Sequence, residues 1–400
     1  MVKKSGTKIL AMPGPTNVPE EVIQAMNRPA IDIYSGEAVD ITKSCLADLK
    51  HIFRTKFHTF VFASNGHGVW EAALSNLFSS GDTVLIPVCG HFPVSWSYFA
   101  KRLGVKVEFL EAANERAAND PKKLKTALDA DKKHKIKAVL QVHIDTASSV
   151  VNDLASIRQA IDDAKHPALL VVDAIASLGI VPLEMDAWGI DVVIAASQKG
   201  LMMTPGLGFI AANEKALHIS KKTNLKSGYW DWHDRQDEPH YKKYCGTAPV
   251  HLMMGLRKSL NLMLEETMET IWIRHARLAE AVRRAIDVWA TKGELSFNVL
   301  EKNQRSNAVT TVLLRDGINP EILTNYCRQN LCVILGIGIG TFEGRSFRIA
   351  HMGYLNEAMI FGIIGAVETA LKSLSIPHGS GGVQAAIDYL ATGPHTGNFN

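Results

Sequence analysis

DVVIAASQKGLMMTPGLGFIAA, residues 191–212, decides how the rest of the chain is read. Its first seven residues, DVVIAAS, are apolar or small after Asp191, without the polar alternation of a half-exposed strand. They read as a strand covered on both faces, the habit of a parallel sheet. Lys199 follows immediately, ahead of a turn rich in glycine and proline. Lysines are normally solvated, but small and apolar flanks predict a partly desolvated amine, whose pKa falls and which can condense with a carbonyl. A phosphate loop of the GxxxxGK[ST] type does not occur in the sequence.

Upstream of this stretch, short apolar runs alternate with helical patterns. HTFVFAS (58–64), TVLIPV (83–88), VKVEFL (105–110), IKAVLQV (136–142) and ALLVVD (168–173) read as strands, and GFIAA (208–212) closes the series. Helices are expected at 67–77 and up to Leu103. This alternation predicts an α/β fold with a mostly parallel central sheet, whose ligands lie beyond the carboxyl ends of the strands. Two further features sit at such ends. In SNGHG (64–68), Gly66 and Gly68 let the backbone approach an anion, and the next helix offers free N–H groups and a favourable dipole. In VVDAIASLG (171–179), Asp173 ends an apolar run, as a helix cap or as a functional charge.

Beyond residue 214 the pattern changes. Residues 223–247, rich in Trp, Tyr, Asp, His and Lys, read as a long surface excursion. Helices are expected at 250–265 and 271–289. A smaller α+β unit then follows, with strands near 308–313, 332–335 and 346–350, helices near 320–329 and 357–374, and a partly loose tail from His378. The expected division is an N-terminal arm (1–20), a large domain (21–265), a small domain (266–376) and a tail (377–400).

The 400 residues are 46% hydrophobic and 21% charged, with a formal net charge of +3. That balance argues against a dedicated nucleic-acid binder. No run of about 18 apolar residues suggests a membrane span, and the first residues lack the apolar core of a signal peptide. The five cysteines are odd in number and include no CxxC pair, so neither a disulfide framework nor a zinc site is expected, and a reducing, cytoplasmic setting fits.

Taken together, PGPTNVP (13–19), SNGHGVWEAAL (64–74), HIDTASSVVND (143–153), the Asp173 and Lys199 blocks, YCGTAPV (244–250) and FRIAHMG (347–353) resemble the class V aminotransferases, over nearly the whole chain. These are fold-type I pyridoxal-phosphate enzymes, and the similarity is greatest to the alanine–glyoxylate and serine–glyoxylate (serine–pyruvate) group. The resemblance implies a pyridoxal 5'-phosphate cofactor and a ping-pong transfer of the amino group of alanine or serine to glyoxylate or pyruvate. It makes Lys199 the Schiff-base lysine and proton carrier, and sets Asp173 against the pyridine nitrogen. Gln198 and Thr146 fall near the phenolic oxygen, Asn65, Gly66 and His67 at the phosphate, and Phe92 on the ring face. Tyr244 and Thr247 would reach the phosphate of a neighbouring subunit, which implies a homodimer with shared active sites. Arg348 would grip the substrate carboxylate.

The sequence also departs from the family pattern. Relatives often read E-T-S-T-G where this chain has Asp145-Thr146-Ala147-Ser148-Ser149, so Ser149 replaces the usual glycine. Ala350 stands where glyoxylate-using relatives commonly have glycine. Asp145 after His143 is similar to a pyridoxamine–pyruvate aminotransferase, which is the alternative reading. A class V lyase or desulfurase is a more distant one, because Cys327 and Cys332 are expected on a helix and a strand rather than on a mobile loop.

Overall fold

The computed structural model describes residues 6–112 and 114–392. Its strands are β1 (Ile9–Ala11), β2 (His58–Ser64), β3 (Thr83–Val88), β4 (Lys106–Glu111), β5 (Ile136–Val142), β6 (Ile144–Asp145), β7 (Val150–Val151), β8 (Leu169–Asp173), β9 (Val192–Ala196), β10 (Gly206–Ala212), β11 (Leu295–Phe297), β12 (Val309–Leu314), β13 (Val333–Ile337) and β14 (Ser346–Ala350). The large sheet runs β2-β10-β9-β8-β5-β3-β4, and only β10 pairs antiparallel with its neighbours.

The continuous apolar runs have a direct structural cause. In β8, Leu170 and Val172 enter one core while Leu169 and Val171 enter the other. In β9, Val193 and Ala195 face the first core while Val192 and Ile194 face the second. Side chains alternate across a strand, so a sheet covered on both faces needs apolar residues at every position. The flanking helices start at side-chain caps: Asn65 accepts from the His67 and Gly68 amides, Asp153 from Ser156, and Asn213 from Ala216.

The second sheet, β1-β13-β14-β12-β11, has its own core beneath the helices Met268–Trp289 and Glu357–Ser373. In β14, Phe347 and Ile349 belong to that core, so the strand period turns Arg348 to the opposite face. There it sits in register with Thr311 of β12.

Two expectations change, and within the expected N-terminal arm residues 9–11 form β1, which pairs parallel with β13. The 223–247 excursion is not merely superficial. Trp232 is fully buried, and Arg235 is buried over the Phe62 ring, 4.2 Å from its centroid, donating to the carbonyls of Val61, Lys243 and Tyr229. The tail forms a helix, Gly382–Thr392, whose first amides donate to the Glu368 carboxylate. A carboxylate from another helix thus does what a local cap would do, a partnership that sequence spacing does not reveal.

Candidate active site

The parallel strands β5, β8 and β9 end on one side of the large sheet, and each delivers a different group there. β8 ends in Asp173, the turn after β9 carries Gln198 and Lys199, and β5 runs into residues 143–149. A cleft of about 600 Å³, counted to its open mouth, lies beyond them. Its walls include Asn65, Gly66, His67, Phe92, Thr146, Asp173, Gln198 and Lys199, a volume suited to a small ligand. Eight of the residues singled out in the sequence therefore line one cavity. Trp70, Ile144, Ile175 and Ala176 complete its wall.

Lys199 and Asp173 are perturbed in opposite directions for the same reason. Burial lowers the Lys199 pKa to about 8, the Arg348 charge adds to that shift, and Asp173 opposes it. Burial raises Asp173 to about 7 against the pull of the Ile175 amide and the Trp70 indole. The Asp173 carboxylate accepts from Trp70 Nε1 at 2.9 Å and from the Ile175 amide at 2.8 Å. An amine so placed has an appreciable free-base fraction near neutral pH and is nucleophilic.

Trp70 carries no role in the sequence reading. Its signal was its place in the first turns of the helix after SNGHG. The PGPTNVP segment is a second such case. Lys199 Nζ donates to the Pro13 carbonyl, the Thr16 amide donates to Gln198 O at 3.1 Å, and Thr16 Oγ1 donates to Lys199 O at 3.1 Å. Gly14 lies at φ +98°, and a Cβ there would collide with the lysine side chain. The segment straps the lysine from the side of the second sheet.

The other expected residues differ in placement. Asn65 Oδ1 caps its own helix, leaving Nδ2 without a partner among the described residues. His67 packs its ring on Trp70 and Phe99, and burial lowers its pKa. The Phe92 amide donates to Asp145 Oδ2 at 2.8 Å. Arg348 stands behind Thr146 rather than in the cavity wall. Its Nη1 donates to Thr146 O at 2.8 Å and its Nε to Ile337 O at 2.7 Å, while Nη2 has no partner among the described residues. Tyr244 and Thr247 do not line the cleft. Tyr244 is buried with its hydroxyl 2.7 Å from Thr42 Oγ1, and Thr247 is exposed.

These residues fit pyridoxal phosphate. The helix Gly66–Leu77 opens on the cleft with its positive end, and a Cβ at Gly66 would press on Ile175. Gln198 Oε1 is buried without a partner among the described residues, so the amide has hydrogen-bonding capacity for an occupant. Asp173 presents a carboxyl to a ring nitrogen, and Phe92 offers an aromatic face.

The family profile described as aminotransferase class-V matches residues 9–340. The chain is 38% identical to a serine–glyoxylate aminotransferase of Arabidopsis thaliana, covering 96% of each protein. It is 34% identical to an L-aspartate–glyoxylate aminotransferase of Paracoccus denitrificans, covering 94% of this chain and 95% of that one. Among solved structures, the ureidoglycine–glyoxylate aminotransferase of Bacillus subtilis superposes with a TM-score of 0.88 at 25% identity, covering 98% of this chain and all of the other. The α/β architecture is accordingly that of fold type I, and the chain belongs to the class-V aminotransferase family, as a pyridoxal-phosphate-dependent transaminase.

Proposed function

We propose that this transaminase moves the amino group of a small neutral amino acid, serine or alanine, to glyoxylate or pyruvate. The observation that carries the reading is the cation inventory of the cleft. Lys199 is the only Lys or Arg in its wall among the described residues, and Arg348 stands immediately behind. A monocarboxylate matches the one guanidinium, and a second, distal carboxylate such as that of aspartate finds no further Lys or Arg in the cleft wall among the described residues. The names of the Arabidopsis and Paracoccus relatives support glyoxylate as acceptor.

When bound, pyridoxal phosphate supplies an aldehyde that condenses with amines and a ring that withdraws electrons from the substrate carbon. The chain's own residues do the rest. Asp173 keeps a proton at the ring nitrogen. Gln198 and Thr146 hold the phenolic edge, and the helix beginning at Gly66, with Asn65 and His67, holds the phosphate. Lys199, shifted toward its free base, would take the proton from the substrate Cα and deliver it to C4′ of the cofactor, on the far side of the transferred nitrogen. Arg348 orients the carboxylate of donor and acceptor in turn, so a single site serves both and ping-pong kinetics follow.

We read the enzyme as a cytoplasmic homodimer. Thr247 is exposed at the end of the excursion and can reach a second copy's cleft, whereas the Tyr244 hydroxyl is already engaged by Thr42. The described cysteines are all unpaired, which suits a reducing compartment. No helix among the described residues is long and apolar enough to cross a membrane.

The test is a kinetic panel of L-serine, L-alanine and L-aspartate against glyoxylate and pyruvate. The expected result is that serine or alanine with glyoxylate exceeds aspartate in kcat/KM by at least about tenfold, the discrimination expected from leaving a carboxylate unpaired. Preference for aspartate would overturn the donor assignment. Turnover of free pyridoxamine with pyruvate, and none with these amino acids, would favour the pyridoxamine–pyruvate alternative.

A further inference from the structure

The turn at residues 145–149 has an unusual division of its hydrogen bonds. Its N–H groups turn inward to a single residue. The Ala147 and Ser148 amides donate to Asp145 Oδ1 at 2.9 and 2.8 Å, and the Ser149 amide donates to Asp145 O at 2.8 Å. Its carbonyls turn outward, and every one from 146 to 149 is met by a donor from the C-terminal part of the chain. Thr146 O accepts from Arg348 Nη1 at 2.8 Å and Ala147 O from Thr311 Oγ1 at 2.9 Å. Ser148 O accepts from Asn298 Nδ2 at 2.9 Å and Ser149 O from the Ser306 amide at 3.0 Å.

Thr311 adds a second tie. Its single proton goes to Ala147 O, so the Ser149 hydroxyl, 2.5 Å away, donates to Thr311 Oγ1. Thr311 and Arg348 are register partners on β12 and β14. The cavity behind Asp145 is closed as well: its carboxylate lies against Gly90, where a Cβ would collide with it, and its other oxygen accepts from the Phe92 amide. Asp145 is fully buried and makes no ion pair among the described residues, so its oxygens rely on these amides.

We propose that the 145–149 turn is the joint that sets Arg348 relative to the cofactor cleft, with Asp145 and Thr311 as positioning residues for the substrate carboxylate. The carboxylate freezes the turn from inside, so that four carbonyls present a fixed edge to the second sheet. Thr311 and Arg348 answer from neighbouring strands of the second sheet, and Asn298 and Ser306 from the segment between β11 and β12. A loosened edge lets the guanidinium drift from the substrate while Asp173, at the end of β8, and Lys199, in the turn after β9, stay where they are. At Thr311 the consequence is a loss of carboxylate binding common to donor and acceptor, not a loss of chemistry, whereas loss of Asp145 also frees the Phe92 amide and Thr146 beside the cofactor cleft.

This inference rests on the reading of Arg348 as the carboxylate grip, and the test separates the two. Asp145→Ala, Thr311→Val, Thr311→Ser and Arg348→Lys are assayed with L-serine and glyoxylate at saturating pyridoxal phosphate, with cofactor absorbance as the check on folding. KM for both substrates is expected to rise together, about tenfold in Asp145→Ala and about threefold in Thr311→Val, with kcat changed less than about threefold in Thr311→Val. Thr311→Ser keeps the hydroxyl and is expected to hold both KM values within about twofold of the native enzyme. The proposal is overturned if Arg348→Lys raises both KM values while folded Asp145→Ala and Thr311→Val leave them within about twofold. It is equally overturned if those variants lower kcat alone. Should Asp145→Ala not fold, the Thr311 pair decides. If Arg348→Lys leaves both KM values unchanged, the reading of Arg348 itself fails, and this inference with it.

Discussion

The strand ends at Asp173 and Lys199 and the excursion at 223–247 both bury charge, and they treat it in opposite ways. At the strand ends the charged forms are under-compensated: Asp173 is pushed up to about 7 and Lys199 down to about 8, burial being the main cause in each. In the excursion, the Arg235 guanidinium meets three carbonyls and the face of Phe62. The first arrangement leaves groups poised to gain or lose a proton near neutral pH. The second holds a loop in place. Burial lowers the Arg235 pKa as well and leaves its Nε without a partner among the described residues, but a guanidinium stays charged at neutral pH. There the buried charge serves structure, whereas Asp173 and Lys199 are brought close to titration.

Four substitutions can break or sharpen that contrast. Lys199→Ala is expected to lower the rate of amino transfer by at least about 10⁴-fold, the upper end of what a positioned proton carrier contributes, without lowering thermal stability. Steady-state kinetics and melting of the same preparation check both halves. A large drop in stability would blur the contrast at once.

Arg235→Ala leaves the Val61, Lys243 and Tyr229 carbonyls short of a donor and should cost about 4 kcal/mol of unfolding free energy, read by urea denaturation. The cleft residues keep their places, so the monomer's Lys199 and Asp173 are untouched by this change. A loss below about 1 kcal/mol would mean that the guanidinium is not the pin of the excursion.

Cofactor-free Lys199→Met should be more stable than cofactor-free native protein by about 3 kcal/mol below pH 8. The sign follows from the lowered folded pKa. Between pH 8 and 10.5 the unfolded chain binds the lysine proton and the folded chain does not, so native stability rises with pH and the advantage of methionine disappears above 10.5. Asp173 acts with the opposite sign: from pH 3.8 to 7 the folded state holds the extra proton, so its contribution falls as pH rises. A pH-independent difference would contradict the shift at Lys199.

Ser149→Gly should change stability by less than about 1 kcal/mol, because two effects oppose. Ser149 sits at φ +68°, where glycine is less strained, but its hydroxyl bond to Thr311 Oγ1 is lost. Calorimetry on the pair would show whether the replacement of glycine noted in the sequence is compensated by that bond.

Much of the cleft was legible because it stands at the ends of regular strands. An apolar run broken by one carboxylate, or followed by one lysine between small residues, is a local pattern, and the α/β alternation says that such ends converge. The eight cavity-lining residues were found in this way and through the family resemblance. The missed features depend on partners distant in sequence. Trp70 matters through Asp173, Pro13 through Lys199, and Glu368 through the amides of Gly381, Gly382 and Val383. The 223–247 excursion looked superficial because its polar composition conceals that Arg235 is held by carbonyls, which carry no sequence signature. Arg348 was identified through the family resemblance, but its seat behind Thr146 required the register of β12 and β14.

The central claim is that Lys199 carries the cofactor, and covalent trapping addresses it most directly. The holoenzyme, reduced with borohydride, digested and analysed by mass spectrometry, should yield the pyridoxyl group on the peptide containing Lys199 and on no other. Finding the label on a different lysine, or no label on a protein that still turns over serine and glyoxylate, would contradict the account.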